Sequence, residues 1–454
     1  MVSEELKRSA RKVLDKVEVD EVEVLIHRKD KALTRYANSK IHQNVGQKDF
    51  DVSIRAVLGK KVGSVSTNSV DEKSLIDALR SAENIAKHQK EDPDFIGLPE
   101  PKEDRSDKEN YFEETASFTP DDRAEKVKEI IHYAGGKGVD RMYGAFETET
   151  IEVLVANTNG IMKSSRMSKA NLTATAIADW DNDQGFGWSE QCSANVNDID
   201  HMKVARTAVE KGLNNMDTKS IEPGEYTVVL EPLAVNTMLM YLAMMGMSAK
   251  KVQEKRSFMN GKFGEKIMDE RVNIFDDAMH DEMIGFPFDY EGVPKQRVDM
   301  VKDGIAKDVV YDSYTAGRDE GDRESTGHAL PMPNPMSPAP LNLMMGTGDA
   351  SVQEMIDDTE NGILVTRFNY CRPVHPVKGI LTGLTRDGTW KIENGEVTEP
   401  LKNLRFTQNL LDAFSDVELI GKERILFSLG YYPGYTCVPA MKIPEFNFTG
   451  TTEF

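Results

Sequence analysis

Catalysis or metal binding in this chain would have to come from a small set of side chains, among them eight histidines and three cysteines in 454 residues. The histidines (His27, His42, His88, His132, His201, His280, His328 and His375) are scattered. None forms the HExxH or HExxxH pair that holds zinc on one helical face beside a carboxylate base. The nearest mixed pair, Cys371 and His375, is interrupted by Pro373 and followed by Pro376, which reads as a loop rather than a ligand-bearing helix. Ser325-Thr326-Gly327-His328 sets hydroxyls beside an imidazole, a combination able to activate a nucleophile, but the GxSxG turn that presents such a serine is missing.

Composition narrows the field. Fifty-six basic against 76 acidic residues leave a formal net charge of -20, which disfavours nucleic acid or anionic lipid as the main partner because polyphosphates need clustered cations. Three cysteines, Cys192, Cys371 and Cys437, make no disulfide framework and suit a reducing, cytoplasmic setting. The first residues, rich in Glu, Lys and Arg, show no export signal. The eighteen uncharged residues 232–249 touch the lower limit of a membrane span. Asn236, Thr237, Tyr241 and Ser248 within them favour a helix buried inside a large domain. Met238, Met240, Met244, Met245 and Met247 cluster there and read as flexible core packing.

The elements around these residues fall into three blocks of an α+β chain. The first, 1–105, has a helix over 4–17 and strand signals at Val22, Val24 and Ile26, at Leu33, Arg35 and Tyr36, and over 41–47, 51–58 and 62–67. A second helix over 71–90 closes it. The next block, 111–217, repeats the pattern. Thr119 caps a helix with Pro120 in its first turn and Gly135-Gly136 at its end. Strands over 141–148, 150–156 and 161–177 follow, then a turn through 179–183, a strand from Phe186 and a helix near 198–215. Ala37-Asn38-Ser39 matches Ala156-Asn157-Thr158, and the Gly63 run matches the Gly185 to Ser189 run, so a duplicated module is expected. Residues 92–110 read as a linker between the copies. The third block, 222–454, is large and β-rich around the buried helix. Its segment 331–340 carries five prolines in ten residues and is expected to be extended.

A series of landmarks runs along the chain: Ala37-Asn38-Ser39, Val62-Gly63-Ser64 and Thr67-Asn68, then Ser257-Phe258 and Gly261-Lys262-Phe263-Gly264-Glu265. It continues with Phe288-Asp289-Tyr290-Glu291-Gly292-Val293-Pro294, Asp303-Gly304-Ile305, the Ser325 to Ala329 run, Asn361-Gly362-Ile363-Leu364-Val365 and Ile392-Glu393-Asn394-Gly395-Glu396. In this order they resemble the TldD/PmbA family, once named modulators of DNA gyrase. The resemblance implies a zinc metallopeptidase fold whose TldD-type members place HExxxH after a strand and a proline, with a cysteine ligand near the C-terminus. Matched from Pro232 without gaps, those positions are Met240, Tyr241 and Met245. Thioethers and a phenol replace two imidazoles and a carboxylate, and Cys437 stands only roughly where the cysteine ligand would be.

The chain is therefore similar to the metal-free PmbA (TldE) members. What this implies is a non-catalytic subunit with no cofactor of its own and no catalytic residue, paired in the cytoplasm with a zinc-bearing TldD-type subunit. The pair would act in proteolysis or maturation of small or unfolded peptides. Ser325, Thr326, Gly327, His328, Pro331, Pro333 and Asn334 are the substrate-side candidates. Two alternatives stay open: a stand-alone homodimer that binds peptides or acts as a scaffold without peptidase activity, and an enzyme using the Ser325 to His328 loop.

Overall fold

The structure is a computed structural model that describes residues 4–451 apart from 105–107, 109, 140, 181–182, 320, 335 and 430–433. Parts of the expected 179–183 turn and of the proline-rich segment thus lie outside the described residues.

Alternating apolar residues drive the first sheet. Its strands are β1 (Glu21–Ala37), β2 (Lys40–Leu58), β3 (Lys61–Thr67), β4 (Arg141–Asn157), β5 (Met162–Trp180) and β6 (Asp183–Ser193), ordered β3-β2-β1-β4-β5-β6. The two copies stand on either side of the β1–β4 seam, and one sheet runs through both. The strand signals expected as separate pieces merge. The β1–β2 ladder is continuous from Glu21 opposite Val57 to Ala37 opposite Lys40, because backbone hydrogen bonds carry a strand through polar stretches that have no core to cover. Even-numbered residues of β1 (Val22, Val24, Ile26) pack under the helices Glu4–Leu14 and Glu72–His88. The helices Pro120–Gly136 and His201–Asn214 cover the second copy in the same way. Thr119 and Asp122 form the reciprocal cap that starts the first of these.

The odd-numbered face of β1 turns toward the rest of the chain. Leu25, Ile151, Val153 and Val155 share a core with Phe286, Phe288, Tyr290, Leu330 and Tyr435, so the C-terminal block forms the third layer. The expected linker is no free tether: the Asn110 amide donates to the Gly285 carbonyl at 2.7 Å, and the Leu98 N–H donates to Glu21 at 3.2 Å.

The C-terminal strands are β7 (Gly224–Leu230), β8 (Ile274–Asp276), β9 (Val298–Lys302), β10 (Ile305–Ala306), β11 (Asn342–Met345), β12 (Asn361–His375), β13 (Ile380–Glu393), β14 (Glu396–Pro400), β15 (Leu404–Asn409), β16 (Leu419–Leu429) and β17 (Gly434–Thr451). The circuit β7-β12-β13-β15-β17 closes on itself, since β17 also pairs with β7. Phe368, Phe406, Phe446 and Phe448 pack together in its core, with ring centroids 4.5 Å apart for the first two and 5.3 Å for the last two. The uncharged stretch becomes the helix Pro232–Gly246, packed against β12 and β17. Among the described residues no helix is long and apolar enough to cross a membrane. Cys371 and His375 lie at the end of β12 rather than in a loop; register shifts around them let the strand accept Pro373.

One contact recurs in both copies. A Cβ on Gly63 would meet the Ala82 carbonyl oxygen at 2.2 Å, and one on Gly187 would meet the Ala208 carbonyl oxygen at 2.1 Å, so each outer strand lies directly on the backbone of its helix. Gly63→Ala and Gly187→Ala are each expected to cost about 1–3 kcal/mol by pushing helix from sheet. Gly46→Ala, with nothing within 4 Å, serves as the control. Denaturant unfolding measures the three; equal midpoints would refute the close-packing account.

Candidate functional site

Three places hold the residues singled out by sequence. The first is the buried helix. Met245 is buried and Met240 and Tyr241 are half-buried, while Met244 is exposed. The Tyr241 hydroxyl donates to the Cys371 carbonyl at 2.6 Å, so the position matched to a catalytic glutamate serves as a strut to β12. Thr436 on β17 bonds Asn236 of the helix, which fixes that face of the strand toward the helix. Its neighbour Cys437 therefore points the opposite way, into the core shared with the first sheet. Burial raises its thiol to about 12. Among the described residues, no group of three His, Cys, Asp or Glu side chains could hold a metal ion. Two thioethers, a phenol and a thiol facing elsewhere do not fit zinc.

The second place is the Ser325 to His328 loop. His328 and Asp276 are fully buried, with Nε2 of the imidazole 3.0 Å from the carboxylate and Nδ1 2.9 Å from the Thr326 hydroxyl. With Nε2 carrying the proton to Asp276, Nδ1 accepts from Thr326. Asp276 also accepts the Asn342 N–H at 2.7 Å, and the Lys295 ammonium donates to the Asn342 side chain at 2.7 Å. The Ser325 hydroxyl is engaged by the Tyr311 carbonyl at 3.2 Å and the Gly327 N–H at 3.2 Å. The chain Thr326-His328-Asp276 looks like a catalytic relay, but it is sealed from solvent and binds loop backbone. It holds the loop in place, and both His328 nitrogens are taken by groups other than Ser325.

The third place is a cleft of about 720 Å³ between the first sheet and the segment that follows the loop. Pro331, Met332, Pro333 and Asn334 form one wall; Leu25, His27 and Lys29 of β1 and Asp51 and Ser53 of β2 form the other. The proline-rich segment is bent, not extended. The Ser337 hydroxyl accepts the Leu330 N–H at 3.1 Å, Asn334 accepts the Met336 N–H at 2.9 Å, and these local bonds fold the segment back. Ser53 donates to the Met332 carbonyl at 2.6 Å and ties it to the sheet. Of the substrate-side candidates, therefore, Pro331, Pro333 and Asn334 line the cleft, whereas Ser325, Thr326, Gly327 and His328 support it from behind.

Sequence reasoning missed His27 and Tyr290, which also line the cleft with ring centroids 6.0 Å apart. Tyr290 belongs to the Phe288 to Pro294 run. Within that run Asp289 accepts the N–H groups of Glu291, Val293 and Ala329 at 2.8–2.9 Å. Burial and the adjacent Glu291 carboxylate push the Asp289 carboxyl up, and those bonds oppose the shift.

Comparison with known proteins places this fold. A model of the PmbA/TldA metallopeptidase C-terminal domain matches residues 223–450, and models of domain 1 and the central domain of the same family match 22–86 and 104–216. The chain belongs to the TldD/PmbA family. A curated metalloprotease of Methanocaldococcus jannaschii is 25% identical over 399 residues, covering 84% of each chain. The metalloprotease PmbA of Escherichia coli O157:H7 is 22% identical, covering 84% of this chain and 82% of that protein. The crystal structure of TldE from Thermococcus kodakarensis superposes with a TM-score of 0.87 at 21% identity, covering 98% of this chain and 99% of the other. This TldD/PmbA chain thus has the full three-part architecture of its relatives.

The electrostatics of the cleft carry a pH consequence. Burial, with Lys29 adding to it, lowers His27 from 6.5 to about 3, and burial lowers His328 below its ordinary value as well. On acidification from about 6.5 the unfolded chain takes up protons at these positions that the folded chain refuses, so stability falls with falling pH. His27→Phe is expected to flatten that fall between about pH 6.5 and 3, read by denaturant unfolding across pH. An unchanged slope would show that His27 protonates freely in the folded chain.

Proposed function

We propose that this chain is the metal-free subunit of a two-chain metallopeptidase, contributing peptide binding while a TldD-type relative bearing HExxxH supplies zinc and cleavage. The observation that carries this reading is the helix Pro232–Gly246. It keeps its place against β12 and β17, yet Met240, Tyr241 and Met245 stand at the matched ligand and base positions, and Cys437 faces the other way. A thioether offers only a weak acceptor, and a phenol with an ordinary pKa of about 10 is a poor general base near neutrality. The cleft beside Pro331 to Asn334 gives such a subunit a surface on which an extended peptide can lie. Small or unfolded peptides are the substrate class in this reading, and the setting is cytoplasmic.

Metal analysis of the purified chain is expected to find no stoichiometric zinc, and peptide cleavage is expected only after an HExxxH-bearing relative is added. Zinc at one equivalent together with cleavage by this chain alone would overturn the proposal. Cleavage by the relative at the same rate with or without this chain would remove the subunit role and leave a stand-alone binding protein.

A further inference from the structure

We propose that His27 and Tyr290 form an amide-binding pair, which holds an uncharged stretch of peptide in the cleft between the first sheet and residues 331–334. The inference deepens the peptide-binding reading above and rests on it. Nε2 of His27 and the hydroxyl of Tyr290 are buried, have no hydrogen-bond partner among the described residues, and belong to residues only 5% exposed. Both residues line the same cleft. A polar atom buried without a partner weakens the fold, and here two of them belong to neighbouring residues, ring centroids 6.0 Å apart, that line one cleft, which points to a ligand as the missing partner.

The chemistry of the walls selects the ligand. His27 sits opposite Asp51 on β2 and Val153 on β4, with Lys29 next on the same face. Burial and Lys29 keep its imidazole neutral, and burial pushes the Tyr290 phenol up so that it too stays neutral. The Lys29 ammonium stands 3.6 Å from the Asp51 carboxylate, so cation and anion offset one another. Among the described residues of the walls, a carboxylate or phosphate finds no unpaired cation, and an ammonium no unpaired anion. An amide is neutral and brings one donor and one acceptor. In an extended peptide the C=O and N–H of one residue point to the same side, so the phenol donates to that carbonyl and the imidazole nitrogen accepts that N–H. Leu25, Leu330 and Met332 supply apolar wall, the flexible Met side chain suiting varied neighbours.

The test is titration of the full chain with tetra-alanine blocked by N-acetyl and C-amide groups, alongside the same peptide with free termini. The blocked form is expected to bind at least as well as the free one, and Tyr290→Phe and His27→Phe are each expected to weaken binding about three- to tenfold. At neutral pH neither substitution should lower the unfolding temperature, because each removes a buried atom that had no partner; a residue serving only the fold would lower it. Failure of the unaltered chain to bind the blocked peptide, binding of the free-terminus form alone, or unchanged affinity in both variants would each overturn the inference. Zinc-dependent cleavage by the two-chain mixture that is indifferent to both substitutions would leave the subunit reading standing and remove the amide pair. Binding lost in both variants, with no cleavage by any mixture, would do the reverse.

Discussion

The Arg55 guanidinium lies between the carboxylates of Glu23 and Glu291, 2.9 Å from the first and 3.1 Å from the second, with all three side chains at 4 to 6% exposure. Glu23 and Arg55 face each other across β1 and β2, while Glu291 arrives from the C-terminal block, 236 positions away in sequence from Arg55. Removing three charges from water carries a desolvation cost, which the bonds from the two terminal guanidinium nitrogens offset while Arg55 Nε stays without a partner among the described residues. Burial lifts the Glu23 carboxyl to about 7 against the pull of Arg55. Glu291 uses its other oxygen to accept the Ser313 N–H at 3.1 Å. The third layer is thereby fixed on the sheet at one angle and one register. Apolar contact between Val155 and its neighbours alone would tolerate sliding.

Everything around the cleft follows from that alignment. Glu23, Leu25, His27 and Lys29 form one row along β1, so fixing Glu23 against Glu291 also fixes where His27 stands relative to Tyr290, the residue just before Glu291. The buried Thr326-His328-Asp276 chain then sets the loop from which Pro331 to Asn334 emerge, and Ser53 returns that segment to β2. Groups that look catalytic in isolation are used here to hold a wall in place. The same logic applies to the helix Pro232–Gly246: core volume and contacts with β12 and β17 specify a helix, and they are indifferent to whether a half-buried position such as 240 carries a thioether or another side chain of similar size.

Much of this was legible in the sequence, for identifiable reasons. The duplication showed itself through Gly63 and Gly187, because close backbone contact admits only glycine at those places. The buried helix was visible as an uncharged run, and the first turn of Pro120–Gly136 through its cap. Strand lengths were misjudged because the polar middle of β1 and β2 is held by a ladder that leaves no mark on side-chain pattern. The bend of 331–340 was hidden because it depends on hydrogen bonds made by Asn334 and Ser337. His27 looked like one more scattered histidine, since its unpartnered state depends on residues from Tyr290 to Asn334 closing over it.

The charge distribution gives the cleft its character. A formal charge of -20 is spread over the chain, yet the groups lining this cavity are neutral or offset: an imidazole held uncharged, a phenol, and Lys29 beside Asp51. In a field so negative, a cleft of unbalanced acidic groups would gather cations, and one of basic groups would gather polyanions. A cleft without net charge does neither, and what it can discriminate is shape and hydrogen-bond pattern. Those are the properties that unrelated peptides share along their backbones, while their side chains differ. Neutrality at the wall and acidity elsewhere thus suit a surface that handles many sequences through one repeated chemical group.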